Sequence, residues 1–247
     1  MANRLRQTLD GRRDVNIAPD EDDFLMRVSI AQAEGDLPRA AALLASIHRV
    51  GSDFGILATQ TYQAILERRP EQVIDRLKQA AATPDPALDP FKGELWLWLA
   101  WAQDVAGDHA AAQESWRQTR TILESSLTGQ SENPVVICEL ALSNMGLGDK
   151  AAALALAERA MTALPIERDA AFGPFPIEIL ARVTAQMNEP DRAIVALQKI
   201  MSVPYASSFW NVPLTSALLQ LDPMFDPLRY DPRFQKLVSS APKTTNE

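Results

Sequence analysis

The sequence predicts an all-α protein, an α-α superhelix of about five helical hairpins followed by a C-terminal capping segment. The first observation is the dipeptide Gly-Asp, which follows an amphipathic run and precedes an Ala-rich run at Gly35, Gly107 and Gly148. The second is an alanine five positions after each of these glycines. The third is that prolines stand where Ala-rich runs open or close. Together they indicate short turns between paired helices, repeated along one continuous stack.

The repeat register rests on one position of the second helix in each hairpin. It is occupied in order by Ala40, Val73, Ala112, Ala153 and Ala193. Successive positions differ by 33, 39, 41 and 40 residues, which indicates hairpins with longer than minimal helices or linkers. A small side chain here lets the two helices approach closely. Three first helices also carry a small residue seven positions before the turn, at Ala100, Ala141 and Ala181.

The turns have a physical signature of their own. Glycine or asparagine readily adopts the left-handed conformation that ends a helix, and four turns offer one: Gly35, Gly107, Gly148 and Asn188. The second unit departs from this pattern, because Arg68-Arg69 replaces Gly-Asp there. Proline suits the opening turn of a helix and cannot continue one. We therefore expect second helices to open near Pro38, Pro70 and Pro190, and to end before Pro84, Pro165 and Pro204.

These signals divide the chain into three parts. Residues 1–20 form an N-terminal extension, residues 21–204 form the repeat domain, and residues 205–247 form the C-terminal cap and tail. The predicted repeat units cover residues 21–53, 54–90, 91–130, 133–170 and 174–204.

The pattern resembles the tetratricopeptide repeat (TPR) family, and the resemblance covers about Asp22 to Pro204. The fourth unit is the most similar, through Ala141, Gly148, Asp149, Ala153, Ala160 and Pro165. In the third unit Trp96 takes the place of the large aromatic residue near the start of the first helix. The resemblance implies a TPR-like solenoid whose first helices line a concave groove for a peptide.

The C-terminal part reads LLQLDPMFDPLRYDPRFQKLV and contains Asp-Pro pairs at Asp222, Asp226 and Asp231. Asp favours the N-cap and Pro the first turn of a helix, so each pair can open a short turn or helix. One interpretation is a cap over the exposed face of the last repeat, and the other is a hook for a partner. The stretch from Pro213 to Val238 resembles TPR regions at the C-termini of bacterial signalling proteins, which carry kinase, nucleotide cyclase or winged-helix domains.

Composition excludes several classes of function. The chain has 24 Lys+Arg, 32 Asp+Glu and a net charge of −8, which disfavours direct nucleic-acid binding. Two histidines and one cysteine are too few for a zinc site or a disulfide framework, so we expect no metal or cofactor. The acidic run Asp20–Asp23 lacks the spacing of a calcium loop and suits a helix N-terminus instead. His48, His109 and Cys138 lie in no catalytic motif, and Cys138 is expected to be a buried, inert thiol.

The N-terminus lacks the apolar run of a signal peptide, and the most apolar stretch, Leu95 to Ala102, is too short to cross a bilayer. The unpaired cysteine suits a reducing compartment, so a cytoplasmic protein without membrane insertion is expected.

The candidate binding residues follow from the groove that the resemblance implies and from the register set by Gly107. They are Tyr62, Trp98, Trp101, Asp104, Phe175, Glu178 and Arg182. The same register places Cys138, Leu142 and Met145 on this surface. The alternative for the tryptophans is that they fill the contact to the next hairpin.

In the TPR family that the pattern resembles, one known use of the groove is to bind a carboxylate through a clamp of Lys, Arg and Asn side chains. The candidate positions of this sequence lack these residue types, with Arg182 as the exception. The sequence therefore favours a non-catalytic protein–protein interaction scaffold, and an apolar or basic peptide as its partner. A regulatory or sensory module of a bacterial signalling protein is the expected setting.

Two alternatives stay open. One is an all-helical enzyme that uses Glu94, Asp104 and Glu178 as acid–base carboxylates. The other is a self-assembling structural module that forms a homodimer.

Overall fold

Helices make up all of the regular structure in the part of the chain that the computed structural model describes, residues 21–47, 53–129, 132–205, 207 and 213–239. The predicted all-α class is thereby confirmed. The predicted N-terminal extension, His48, residues 240–247 and the side chains of the acidic run lie outside the described residues.

Ten helices form five antiparallel hairpins within the described ranges. They are α1 (Glu21–Glu34), α2 (Leu37–Ala45), α3 (Phe54–Leu66), α4 (Glu71–Ala82), α5 (Lys92–Val105), α6 (His109–Gly129), α7 (Pro134–Gly146), α8 (Lys150–Ala163), α9 (Phe175–Gln186) and α10 (Pro190–Met201). Each first helix packs against the first helix of the next hairpin, from α1 through α3, α5 and α7 to α9. We call the surface of these five helices the inner face.

The helices meet at the small residues that define the repeat. Ala40, Ala112, Ala153 and Ala193 have no exposed surface, and Val73 is buried at the same place in the second hairpin. Ala100, Ala141 and Ala181 are likewise buried on the first helices. The register inferred from the sequence therefore identifies the contact line between paired helices.

The turn predictions are confirmed by the backbone. Gly35, Gly107, Gly148 and Asn188 adopt φ values of 79°, 81°, 77° and 59°. Arg68 takes the corresponding place in the second hairpin with φ 59°. A non-glycine residue there costs on the order of 1–2 kcal/mol, because its Cβ crowds the following carbonyl.

The chain ends in three short elements. They are α11 (Ser216–Leu221), a 3-10 helix (Pro223–Leu228) and α12 (Pro232–Ser239). Asp222 caps the 3-10 helix by accepting a bond from the Met224 N–H at 2.9 Å, and Asp231 accepts one from the Arg233 N–H at 2.8 Å. The middle Asp-Pro pair opens no helix, since Asp226 and Pro227 lie inside the 3-10 helix.

The C-terminal segment, defined here as residues 213–228, reaches both ends of the row of hairpins. Its 3-10 helix packs on α9, whereas α11 packs on α1. Thr215 donates from its hydroxyl to the Ala33 carbonyl at 2.5 Å, and a Cβ on Gly35 would lie 3.1 Å from Ala217 Cβ. The last helix, α12, contacts α10 of the fifth hairpin, whereas the C-terminal segment lies on the inner face.

Among the helices that the structure describes, none combines the length and the apolar character that a membrane span requires. In the same ranges, His, Cys, Asp and Glu form no group of three that could hold a metal ion.

Gly146→Ala is expected to destabilise the protein by about 1–3 kcal/mol, although alanine normally favours a helix. The reason is that a Cβ at Gly146 would lie 2.2 Å from the ring of Trp116. Chemical denaturation measures the change. Gly93→Ala is the matched control, because its Cβ would lie 2.7 Å from the flexible end of the Leu123 side chain and in ordinary contact, 3.7 Å, with Ile122. Equal effects of the two substitutions would contradict the close contact with Trp116.

Candidate binding site on the inner face

Three of the predicted binding residues form a buried aromatic cluster. The ring centroids of Tyr62 and Trp98 lie 6.1 Å apart, those of Tyr62 and Trp101 5.9 Å, and those of Trp98 and Trp101 5.5 Å. All three side chains are buried, and they join α3 to α5. The rings thus fill the contact between neighbouring hairpins. The Tyr62 hydroxyl donates a hydrogen bond to Asp222 in the C-terminal segment.

A buried ionic network joins α9 to the C-terminal segment. Arg182 donates to Asp222 Oδ2 at 2.5 Å and to Glu178 Oε1 at 2.9 Å. Tyr62 donates to the same Asp222 oxygen at 3.1 Å, and Tyr205 donates to Glu178 Oε2 at 2.6 Å. The side chains of Arg182, Glu178 and Asp222 have no exposed surface. One cation is therefore balanced by two carboxylates away from water.

The titration of this network reflects its burial. Burial alone would lower the pKa of Arg182, but the charges of Asp222 and Glu178 raise it above its usual range. Burial raises the pKa of Tyr62, and the nearby carboxylate of Asp222 raises it further. The pKa of Glu178 is also raised by burial, against the opposing effect of Arg182. Arg182 is therefore charged across the whole accessible pH range.

A second ion pair holds the other end of the C-terminal segment. Arg68 Nη1 lies 2.6 Å from Asp226 Oδ2, and Arg68 Nη2 lies 2.8 Å from Asp226 Oδ1. Arg68 also donates to the Leu221 carbonyl at 3.3 Å. Burial tends to raise the pKa of Asp226, but the bonds from Arg68 and Arg229 lower it overall. The side chains of Arg68 and Asp226 are 42% and 41% exposed, so this pair is open to solvent.

A cavity of about 450 Å³ remains open beside the C-terminal segment. Its walls come from the second to fifth hairpins and from that segment: Arg68, Trp101, Asp104, Val105, His109, Trp116, Met145, Gly146, Gln186, Pro223, Met224 and Asp226. Asp104 accepts bonds from Trp116 Nε1 at 2.6 Å, and its other oxygen lies 3.2 Å from His109 Nδ1. Its carboxylate side chain is 30% exposed and faces this cavity.

Two carboxyl groups with raised pKa values, Glu94 and Glu139, lie on α5 and α7. Burial raises the pKa of Glu94 to about 7. Burial also raises the pKa of Glu139, and the charge of Glu94 raises it further. Glu139 Oε1 is buried without a hydrogen-bond partner. Neighbouring Cys138 is buried, and burial raises the pKa of its thiol, which keeps it protonated near neutral pH.

Glu94→Gln is expected to reduce the loss of stability between about pH 5 and pH 8. The folded protein keeps a proton on Glu94 up to about pH 7, whereas the unfolded chain releases it above the ordinary value of 4.5. Stability is therefore greatest below the unfolded pKa and falls as the pH rises to the folded pKa, by on the order of 1–3 kcal/mol. Urea unfolding at the two pH values measures the change. Glu114→Gln is the control, since Glu114 is exposed on α6. An equal loss in the wild type and the Glu94 variant would contradict the assignment.

The structure brings most of the predicted binding residues together, but beneath the C-terminal segment or within the helix packing. Tyr62, Trp98, Phe175, Glu178 and Arg182 are buried away from the open cavity, whereas Asp104 and one face of the largely buried Trp101 line it. The carboxylates of the enzyme alternative do not share this cavity, because Asp104 lines it and Glu94 and Glu178 do not.

Other residues of the site are missing from the sequence prediction: Arg68, Gln186, Asp222 and Asp226. Two sequence signals could have indicated three of them. The first two Asp-Pro pairs, at Asp222 and Asp226, are four residues apart, and Arg68 stands in a turn where three other hairpins have glycine.

Comparisons of the chain with models of protein families, with curated proteins and with solved structures find no significant match.

Proposed function

We propose that the protein is a non-catalytic interaction scaffold that binds a peptide or protein segment on its inner face. The observation that carries this proposal is that the inner face already holds a polypeptide segment, residues 213–228 of the chain itself. That segment is held by the buried Arg182–Asp222 pair and by a bond from Gln186 Nε2 to the Met224 carbonyl at 2.8 Å. Contacts to side chains and to backbone are both used by grooves that bind peptides.

The open cavity is the part of the inner face that a partner can enter without displacing any described residue. Its volume lies in the range of ligand sites, and Trp101, Trp116 and Met145 give it an apolar wall. Asp104 adds a partly exposed carboxylate. These features support an apolar or basic anchor residue in the partner, which is also what the acidic composition favours.

The setting of the scaffold is part of the proposal on sequence grounds. The repeats and the Asp-Pro motif support a TPR-like regulatory or sensory module of a bacterial signalling protein, in the cytoplasm. A homodimer is the alternative mode of action. Light scattering on the full chain separates a monomeric peptide binder from a dimer.

Asp104→Asn is expected to weaken the binding of basic peptides about tenfold. It removes the charge of Asp104 from the cavity wall but keeps an oxygen that can accept the Trp116 bond. A peptide array probed with the full chain selects ligands, and fluorescence anisotropy measures their affinities. Glu114→Gln is the matched control, because it removes one charge from an exposed position of α6.

Two results would count against the proposal. One is an array from which the wild-type chain retains no peptide. The other is an equal loss of binding in the Asp104 and Glu114 variants, which would indicate a general effect of net charge. Trp98 and Trp101 are less suitable for this test, since both are buried and their removal changes stability as well.

A further inference from the structure

The inner face binds two aspartates that lie four residues apart. Asp222 is held by Arg182 and Tyr62 in a site without exposed surface, and Asp226 is held by both terminal nitrogens of Arg68. The Arg68–Asp226 pair is two-pronged, an arrangement that is directional as well as strong, whereas Asp222 Oδ2 accepts single bonds from Arg182 and Tyr62. The two sites therefore fix the position and the register of the segment that they hold.

The residues between the aspartates are also recognised. The guanidinium of Arg182 lies 5.1 Å from the ring centroid of Phe225, within the range of a cation–π contact. Gln186 binds the Met224 carbonyl, and Met224 and Phe225 are buried. The inner face thus accepts apolar side chains at the second and third positions after the first aspartate.

Arg68 has a strained, left-handed backbone conformation, and its ion pair with Asp226 explains why an arginine occupies this turn. Three other turns have glycine at the equivalent left-handed position, and one has asparagine. Glycine would adopt φ 59° at Arg68 without strain, but it would leave Asp226 without this partner. A strained residue whose side chain binds the C-terminal segment indicates that this position serves recognition.

We propose that the inner face is a recognition site for acidic, apolar segments with the pattern Asp-x-apolar-apolar-Asp, and that a partner with this pattern exchanges with the chain's own C-terminal segment. This inference rests on the proposed function, because it assumes that the inner face binds partners. It adds a second class of ligand beside the apolar or basic peptide of the Asp104 cavity: a segment with two side-chain carboxylates about one helical turn apart, held by Arg68 and Arg182, for which the chain's own C-terminal segment is the competitor.

The exchange begins most easily at the Arg68 end. The Arg68–Asp226 pair is partly exposed, and such pairs contribute little to stability, whereas the Arg182–Asp222 pair is fully buried. The chain's own segment competes at an effective concentration on the order of millimolar, since it is covalently attached. A free peptide therefore binds weakly to the wild-type chain and more tightly once the attached segment is loosened.

The probe is a fluorescein-labelled synthetic peptide with the sequence of residues 213–239, titrated into the full chain. With Asp226→Asn in the protein, the attached segment loses its ion pair with Arg68 and the internal pair with Arg229, but it keeps the bond from Arg68 to the Leu221 carbonyl, and the helices of the inner face are unchanged. The unmodified peptide is expected to bind this variant about fivefold more tightly than it binds the wild type. Thermal unfolding confirms that each variant is folded.

Two matched controls test the carboxylate pattern. A peptide with Asp222→Asn and Asp226→Asn is expected to lose at least tenfold in affinity for the same variant. A protein with both Arg68→Gly and Asp226→Asn is expected to lose the fivefold gain, and glycine suits the turn at that place. Tyr62→Phe removes one donor to Asp222 without removing the ring, and it is expected to weaken the peptide severalfold.

The proposal is overturned if the Asp226 variant binds the peptide no better than the wild type, or if the uncharged peptide binds equally well. It is also overturned if no binding to the folded Asp226 variant occurs up to millimolar peptide. If the exchange proposal fails but other peptides from the array bind the chain in a way that depends on Asp104, the proposed scaffold function still stands. If the array also retains no peptide, the proposed scaffold function is contradicted as well.

Discussion

Asp222→Ala is expected to destabilise the protein by about 3–5 kcal/mol, which is one of the largest effects of any single substitution in the described residues. The substitution takes the Asp222 carboxylate away from the buried guanidinium of Arg182, which keeps Glu178, and it removes an acceptor of the Tyr62 hydroxyl. It also removes the cap of the 3-10 helix, which Asp222 provides to the Met224 N–H. Urea unfolding followed by circular dichroism measures the free energy of unfolding.

The other two Asp-Pro pairs provide matched controls for this prediction. Asp226→Ala breaks pairs with Arg68 and Arg229 that are partly exposed, and it is expected to cost about 1 kcal/mol. Asp231→Ala breaks a pair with Arg233, whose side chain is 48% exposed, and a cap of α12, and it is expected to cost less than Asp222→Ala. Three equal losses would contradict the special role of the buried network.

Trp98→Ala is expected to cost about 3–5 kcal/mol, because it empties a large volume in the core. The ring is buried between α3 and α5 and lies against Tyr62 and Trp101. A cavity of this size is not refilled by its neighbours, since the cluster consists of rigid rings. Thermal and chemical denaturation both report the loss.

Trp96→Ala is the control on the same helix, because Trp96 is only partly buried. Its removal is expected to cost about 1–2 kcal/mol, in proportion to the smaller apolar area withdrawn from water. If Trp96 proved the costlier residue, the assignment of Trp98 to the centre of the aromatic cluster would be wrong.

Much of the architecture could be predicted from local signals. The left-handed turns at Gly35, Gly107, Gly148 and Asn188 follow from backbone sterics, which depend on the residue itself. The prolines mark helix ends for the same kind of local reason. The buried alanines follow from the repeat, because a position that recurs at every hairpin meets the same neighbour each time.

The surroundings of the candidate binding residues could not be predicted in this way. The register correctly places Tyr62, Trp98, Trp101, Glu178 and Arg182 on the first helices, but it contains no information on what covers them. The partners of Tyr62 and Arg182 on Asp222 lie 160 and 40 residues away in sequence. Contacts over such separations depend on how the hairpins are arranged relative to one another, which the repeat pattern does not specify.

The sequence by itself determined the all-α class, the hairpin register, the turn positions and the helix-capping roles of Asp222 and Asp231, because each depends on neighbours within a few residues. Only the tertiary structure decided that the C-terminal segment lies along the inner face and joins the first hairpin to the last. The reason is electrostatic. A buried arginine requires carboxylates, and Glu178 on α9 and Asp222 on the C-terminal segment supply them where α3 and α9 come close to that segment.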